Sequence, residues 1–156
     1  MKTLWGKLIQ KNRAKVFDRW IEKGLSIFPE KIDRDSPIGE SLSEGLSIML
    51  DGIEENSKSF VAAVNQITRI MAVQPIPPSQ SLLLFLELKT ILHDTATKES
   101  SNNSLKQSDW EKFQTRIEQI TFLAFDCYMA NREKIYQLKV EESKRQAFML
   151  LRRTQR

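Results

Sequence analysis

The chain has little of what most active sites are built from. Its 156 residues hold one Cys (Cys127) and one His (His93). A lone Cys excludes an intrachain disulfide, and the pair cannot form a zinc site without carboxylates. Five Gly and five Pro are too few for a turn-rich β sandwich and favour long helices. There is no glycine-rich phosphate loop and no nucleophile–base motif. No apolar stretch approaches bilayer length, the longest lying within Leu82–Leu88, and no leader-like run precedes a cleavage site. With an unpaired Cys suited to a reducing compartment, these absences place the protein in the cytoplasm. They point to a soluble helical domain that is not an enzyme, with no cofactor and no metal.

What is present is apolar and charged: 40% hydrophobic and 28% charged residues, enough for one domain with a substantial core. The net charge of +4 conceals a pattern. Residues 1–23 carry seven Lys/Arg against two acids, and residues 131–156 carry eight against three. The middle is acidic, with nine bases against fifteen acids. Basic ends on an acidic body suit nucleic acid, anionic lipid or an acidic protein surface. Neither end has the interleaved aromatics or DNA-reading motif of a nucleic-acid binder, which disfavours the first.

The spacing of apolar residues predicts helices throughout. Residues 3–28 read as one helix with Trp5, Leu8, Ile9, Val16, Phe17, Trp20, Ile21 and Leu25 at three- and four-residue steps, ended by Pro29. Ser36–Pro37 then reads as N-cap and first-turn proline of a helix carrying Ile38, Leu42, Leu46, Met49, Leu50 and Ile53. Gly39 and Gly45 within it imply close approach to a neighbouring helix. Ser57–Val73 forms a third helix. After the proline-rich 74–78 turn, Ser79 is the expected cap of a fourth, running to about His93 and apolar on nearly every side. Thr95–Gln107 reads as a polar loop.

Ser108 and Glu111 form a sequence capping box for the last helix, which meets no Gly or Pro before Arg156. Two stripes run along it. Ile117, Ile120, Ala124, Cys127, Asn131, Ile135 and Leu138 make the one expected to face the body, and Phe125, Met129, Tyr136, Val140, Ala147 and Leu151 make the other. No strand pattern competes, so the fold is all-α: a helical bundle over residues 1–138 with a long projecting C-terminal helix, residues 139–156 being a basic amphipathic extension. The expected core or its border includes Trp5, Trp20, Leu46, Ile67, Leu83, Ile120 and Phe125.

Asp126 stands among apolar neighbours, where a buried carboxylate needs a partner. Arg69 and Lys89 are the candidates, and this pair together with Gln74, Ser79 and Gln80 around the proline turn makes a candidate ligand or packing network. Beyond Leu138 the apolar residues Val140, Ala147, Phe148 and Leu151, with Tyr136 before them, make a candidate partner or dimer surface. Exposed apolar groups on an uncapped helix are expected to be covered by something. A homodimer is favoured. A membrane surface is the weaker fit, because Glu133, Glu141 and Glu142 interrupt the basic face. His93 reads as a surface residue near a helix end rather than a haem ligand.

Four stretches together carry a family resemblance: Leu4-Trp-Gly-Lys-Leu-Ile9 through Trp20; Ser36-Pro-Ile-Gly39 with Gly45-Leu46; Arg69-Ile-Met-Ala-Val-Gln74 followed by Pro78-Ser-Gln80; and the run from Leu123 to Tyr136. In these the chain resembles the N-terminal domain of RsbRD-type regulators along essentially its whole length. The resemblance implies a helical input module of the stressosome type, with a globin-like arrangement that holds no haem. In larger regulators such a domain precedes an output domain and acts through a kinase on a sigma factor. The chain ends at Arg156 with no output domain, so the resemblance implies a sensing or docking role. It also implies, by context, a partner among signalling or respiratory electron-transfer components. The reading is a non-enzymatic regulatory or adaptor domain acting through protein contacts. The alternative is a small-ligand sensor with an effector pocket between the central helices.

Overall fold

A computed structural model describes residues 1–99 and 105–155. Among these the chain is helical, with no strand: α1 (Leu4–Lys11), α2 (Arg13–Ser26), α3 (Pro37–Asp51), α4 (Lys58–Val73), α5 (Pro78–Lys98) and α6 (Gln107–Thr154). The helices pack in a ring, α6 on α4, α4 on α3, α3 on α2, α2 on α5 and α5 back on α6, with α1 closing one end against α6 and α2. Its interior is filled by Trp20, Leu42, Leu46, Met49, Phe60, Ile67, Phe85, Phe113 and Ile120, all essentially inaccessible. No helix among the described residues is long and apolar enough to cross a membrane.

Three helix starts are fixed by a side-chain oxygen accepting an N–H that the helix leaves unpaired. Thr3 Oγ1 accepts from Gly6 N–H, Ser36 Oγ from Gly39 N–H, and Ser57 Oγ from Phe60 N–H. The Ser36–Pro37 start is the one expected from sequence. Gly45 lies at a helix crossing, where a Cβ would come 2.8 Å from Ile67 Cγ1. Gly39 serves a different contact: a Cβ there would strike the carbonyls of Asp33 and Arg34 in its own connector.

Several element limits differ from the sequence expectation. The expected helix over 3–28 is two helices, broken at Asn12, whose amide donates to Leu8 O and across to Glu99 Oε1, each at 3.0 Å. Asn competes for local backbone groups in this way, and the apolar spacing carries on past the break because the chain bends without losing its face. The start of α5 is Pro78, not Ser79: proline lacks the N–H that a first-turn residue leaves unpaired anyway. α5 also runs to Lys98, past His93. Its polar last turn is exposed or tied down by Arg19–Asp94 at 3.0 Å and Lys11–Glu99 at 3.5 Å. α6 begins at Gln107, and it is Asp109, not Glu111, that reaches back to accept the Lys106 N–H. The expected loop over Thr95–Gln107 is thereby shortened at both ends, and residues 100–104 of it lie outside the described residues.

Two of the expected core residues are misplaced. Leu83 is 51% exposed and Phe125 43% exposed, because α5 buries Leu84, Phe85 and Leu88 against α2 and α6 while α6 turns Ala124 and Tyr128 inward.

Candidate functional site

The 48 residues of α6 extend about 70 Å at 1.5 Å per residue, so the helix outruns the body it packs on. Its inner face is the expected first stripe over Ile117, Ile120, Ala124 and Asn131, with Cys127 and Ile135 half-buried. The stripe ends one step early: Leu138 is exposed, as is every described residue after Ile135.

Polar groups fasten this inner face at four points. Arg116 Nε donates to Ile53 O at 2.8 Å and Nη2 to Asn56 Oδ1 at 2.9 Å, joining α6 to the α3–α4 connector. Burial lowers the Arg116 pKa, with Glu55 acting in the opposite direction. Tyr128 Oη donates to Ile76 O in the proline turn at 2.6 Å, and burial raises its phenol pKa. Asn131 Nδ2 donates to Asn65 Oδ1 at 3.0 Å and to Cys127 O at 2.8 Å. Arg132 Nη1 donates to Ala72 O at 3.1 Å, satisfying a last-turn carbonyl of α4. Its Nη2 donates to Tyr136 Oη at 2.6 Å. None of these four was singled out from the sequence as a fastening group. The signal available was polar residues of large side chain recurring on the apolar face of a helix.

The opposite face of α6 is the second stripe, and it is uncovered. Phe125, Met129, Tyr136, Val140 and Leu151 are each about half exposed, and Phe122 beside them is 70% exposed. At about 100° per residue these positions lie roughly opposite Ile120, Ala124 and Asn131, so the body that covers one side leaves the other open along its length. Met149 and Leu150 are exposed as well, with Phe148 beside Arg152. A depression of about 960 Å³ runs along this helix past Asp126, Met129, Glu133, Tyr136, Val140 and Lys144. All its walls are α6 side chains, so it is a shallow open groove. The expected partner surface of Tyr136, Val140, Ala147, Phe148 and Leu151 is therefore accessible and longer than expected, reaching back over the body to Phe122.

The candidate ligand network is not assembled. Asp126 is exposed on the outer face of α6 and, among the described residues, makes no ion pair or hydrogen bond. Its apolar neighbours in sequence, Phe125 and Met129, are themselves exposed, which removes the burial that would have required a partner. Arg69 is exposed on α4 and Lys89 half-buried on α5, neither bonded to Asp126. Gln74 caps the C-terminus of α4, while Ser79 and Gln80 are exposed in the first turn of α5. Cys127 is half-buried, and burial first, Asp126 second, pushes its thiol pKa up. His93 is exposed with its ring 5.5 Å from Trp110. Among the described residues no three His, Cys, Asp or Glu side chains cluster as a metal site.

No family model matches the chain, and no solved structure matches it. Over 134 residues it is 33% identical to a protein of Archaeoglobus fulgidus described as uncharacterized, covering 84% of each chain. The chain belongs to the family of that archaeal protein. A match of that extent takes in α3, α4, α5 and the body-facing stretch of α6 wherever it begins, so the family shares those helices and the root of the long one.

Proposed function

We propose that the chain is a non-enzymatic regulatory or adaptor module that works through protein contacts made by α6. The observation that carries this is the uncovered outer stripe on a helix that leaves the body. Contiguous exposed apolar surface of this kind marks an interaction site, and a helix with i, i+4, i+7 anchors is the usual form of a docking element. The ring of helices acts as its holder, fixing α6 through Arg116, Tyr128, Asn131 and Arg132. The resemblance to RsbRD-type input domains supports the reading, with signalling or respiratory electron-transfer components of the cytoplasm as the class of partner. The effector-pocket alternative rested on Asp126 paired with Arg69 or Lys89, and the exposure of Asp126 removes that support.

Hydrogen exchange over residues 136–154 tests the proposal. An isolated helical segment without packing frays and exchanges readily. The exchange is followed in the purified chain at low and high concentration, and again in extract of its source cells. Protection that appears at high concentration or in extract supports docking. Free exchange under all three conditions refutes it.

A further inference from the structure

The outer stripe of α6 has an arrangement that selects its occupant. Phe125, Met129, Tyr136, Val140, Ala147 and Leu151 are separated by steps of four, seven, four, seven and four, which reads the same in both directions. An eleven-residue repeat averages about 3.67 residues per turn, so such a stripe runs almost straight along the helix. Turned end for end about the level of residue 138, the stripe superposes on itself. Phe125 then falls opposite Leu151, Met129 opposite Ala147, and Tyr136 opposite Val140 of the other copy.

We propose that the outer face of α6 binds a second copy of this chain, antiparallel, with a two-fold axis at the level of residue 138. This rests on the reading that α6 is a protein-docking helix, and it names the partner. A two-fold contact uses the same patch on both subunits and needs that patch to be self-complementary. The palindromic spacing supplies this in shape. Large residues meet small at Met129–Ala147 and at Tyr136–Val140, so the layers interdigitate.

Charge fits the same register. On the outer face Glu133 lies in the body-backed half and Lys144 in the projecting half, so antiparallel pairing about residue 138 sets that acid against that base while parallel pairing sets each against its own kind. Glu133 and Lys144 flank the stripe on the same side, and each comes beside the other's counterpart across the axis. Lys139 approaches its own mate near the axis, a like-charge contact that its long flexible stem can turn away from.

The area is of the right order. A fully covered large aromatic side chain buries about 150–250 Å². Phe125, Met129, Tyr136, Val140 and Leu151 are each about half exposed, so ten such side chains from two copies withdraw at most on the order of 1,000 Å², the lower bound for a specific interface. The bodies do not obstruct it, since each sits on the far side of its own helix.

Two experiments on the full chain test the proposal. The first uses sedimentation equilibrium. The chain should be dimeric at micromolar concentration and Val140→Asp should make it monomeric. E133K alone and K144E alone should each weaken the dimer about tenfold, with the double reversal recovering to within about threefold, because two symmetric ion pairs become two repulsions and then pairs again. The second uses Met129→Cys and Ala147→Cys, each in a Cys127→Ala background, with a short bis-maleimide linker. The two variants mixed should cross-link as a heterodimer and neither should cross-link alone, because two residues at position 129 lie about 27 Å apart along antiparallel helices. Cross-linking of each variant to itself means a parallel dimer and overturns the register. A dimer indifferent to Val140→Asp uses another surface and overturns the proposal. A monomer throughout overturns it too; protection of residues 136–154 in extract would then leave the adaptor reading standing, and free exchange there would remove both.

Discussion

Replacing Arg116 should show how the long helix is held. Arg116 is 7% exposed, and its guanidinium lies 5.0 Å over the Phe60 ring and bridges Ile53 O and Asn56 Oδ1. Hydrogen bonds from a charged donor contribute about 1.5–3 kcal/mol each, and a buried carbonyl left unpaired costs about 1–3 kcal/mol. Against these stands the cost of desolvating the cation, several kcal/mol, which removal of Arg116 returns. The unpaired Ile53 carbonyl and the lost packing of the side-chain stem decide the sign. Arg116→Ala should therefore destabilise by about 3–5 kcal/mol, from about 1–3 for the unpaired carbonyl and about 0.8 for each of roughly three lost stem methylenes. Arg116→Met keeps most of the stem and should cost about half as much, each buried methylene being worth about 0.8 kcal/mol. Asn56→Ala removes one acceptor only and should cost about 1–2 kcal/mol.

Urea unfolding followed by circular dichroism measures all three, provided the denaturant slope is unchanged. The order Ala, Met, then Asn56→Ala is the expected result. An Arg116→Met variant as stable as the parent would refute the reasoning. It would mean that the bonds to Ile53 and Asn56 give no net stability and that apolar burial alone anchors α6.

Four further outcomes follow from the same geometry. Leu84→Ala should cost about 2–5 kcal/mol, while its half-exposed neighbour Leu83→Ala should cost less than about 1 kcal/mol, measured by urea unfolding. Phe125→Ala and Asp126→Asn should each change stability by less than about 1 kcal/mol, and only the first should weaken self-association. Gly45→Ala should be destabilising on balance: crowding against Ile67 costs about 1–3 kcal/mol and exceeds or offsets the helix-propensity gain of about 1 kcal/mol. The raised pKa of Cys127 keeps it protonated at neutral pH, so alkylation of the folded chain should be slower than that of a free thiol and should accelerate as pH rises or in urea; equal rates in folded and unfolded chain would refute it.

The fold was legible where period and capping agreed. Ser36–Pro37 carries both a cap residue and the apolar stripe behind it, and the structure places α3 there, while α4 lies within the third expected helix. Limits were not legible where tertiary contacts decided them. The break at Asn12 depends on Glu99, distant in sequence, and the polar last turn of α5 is held by Arg19 and Lys11 from α1 and α2. Asp126 is exposed for a related reason: its apolar neighbours in sequence are not its neighbours in space, since on a helix the flanking Phe125 is turned about 100° away. The residues that share its side are Phe122, Met129, Glu133 and Lys144, most of them in water.

The α6 stripe expected to face the body does so, and what holds it there is a set of polar residues that apolar period does not reveal. Arg116, Tyr128, Asn131 and Arg132 lie on or at the border of the inner face, and each finds a carbonyl or amide oxygen on α4 or a neighbouring connector. Directional bonds at four levels fix both the rotation and the axial position of α6 on the ring, so the helix leaves the body in one defined direction. Among the described residues the outer face carries no such set of bonds; Tyr136 is held by Arg132 at its edge, and the rest is apolar surface flanked by charge. An interface built from that material gets its register from spacing and from few charges, Glu133 and Lys144 foremost. Such a contact would form and separate without disturbing the core, which is what the proposed docking role requires.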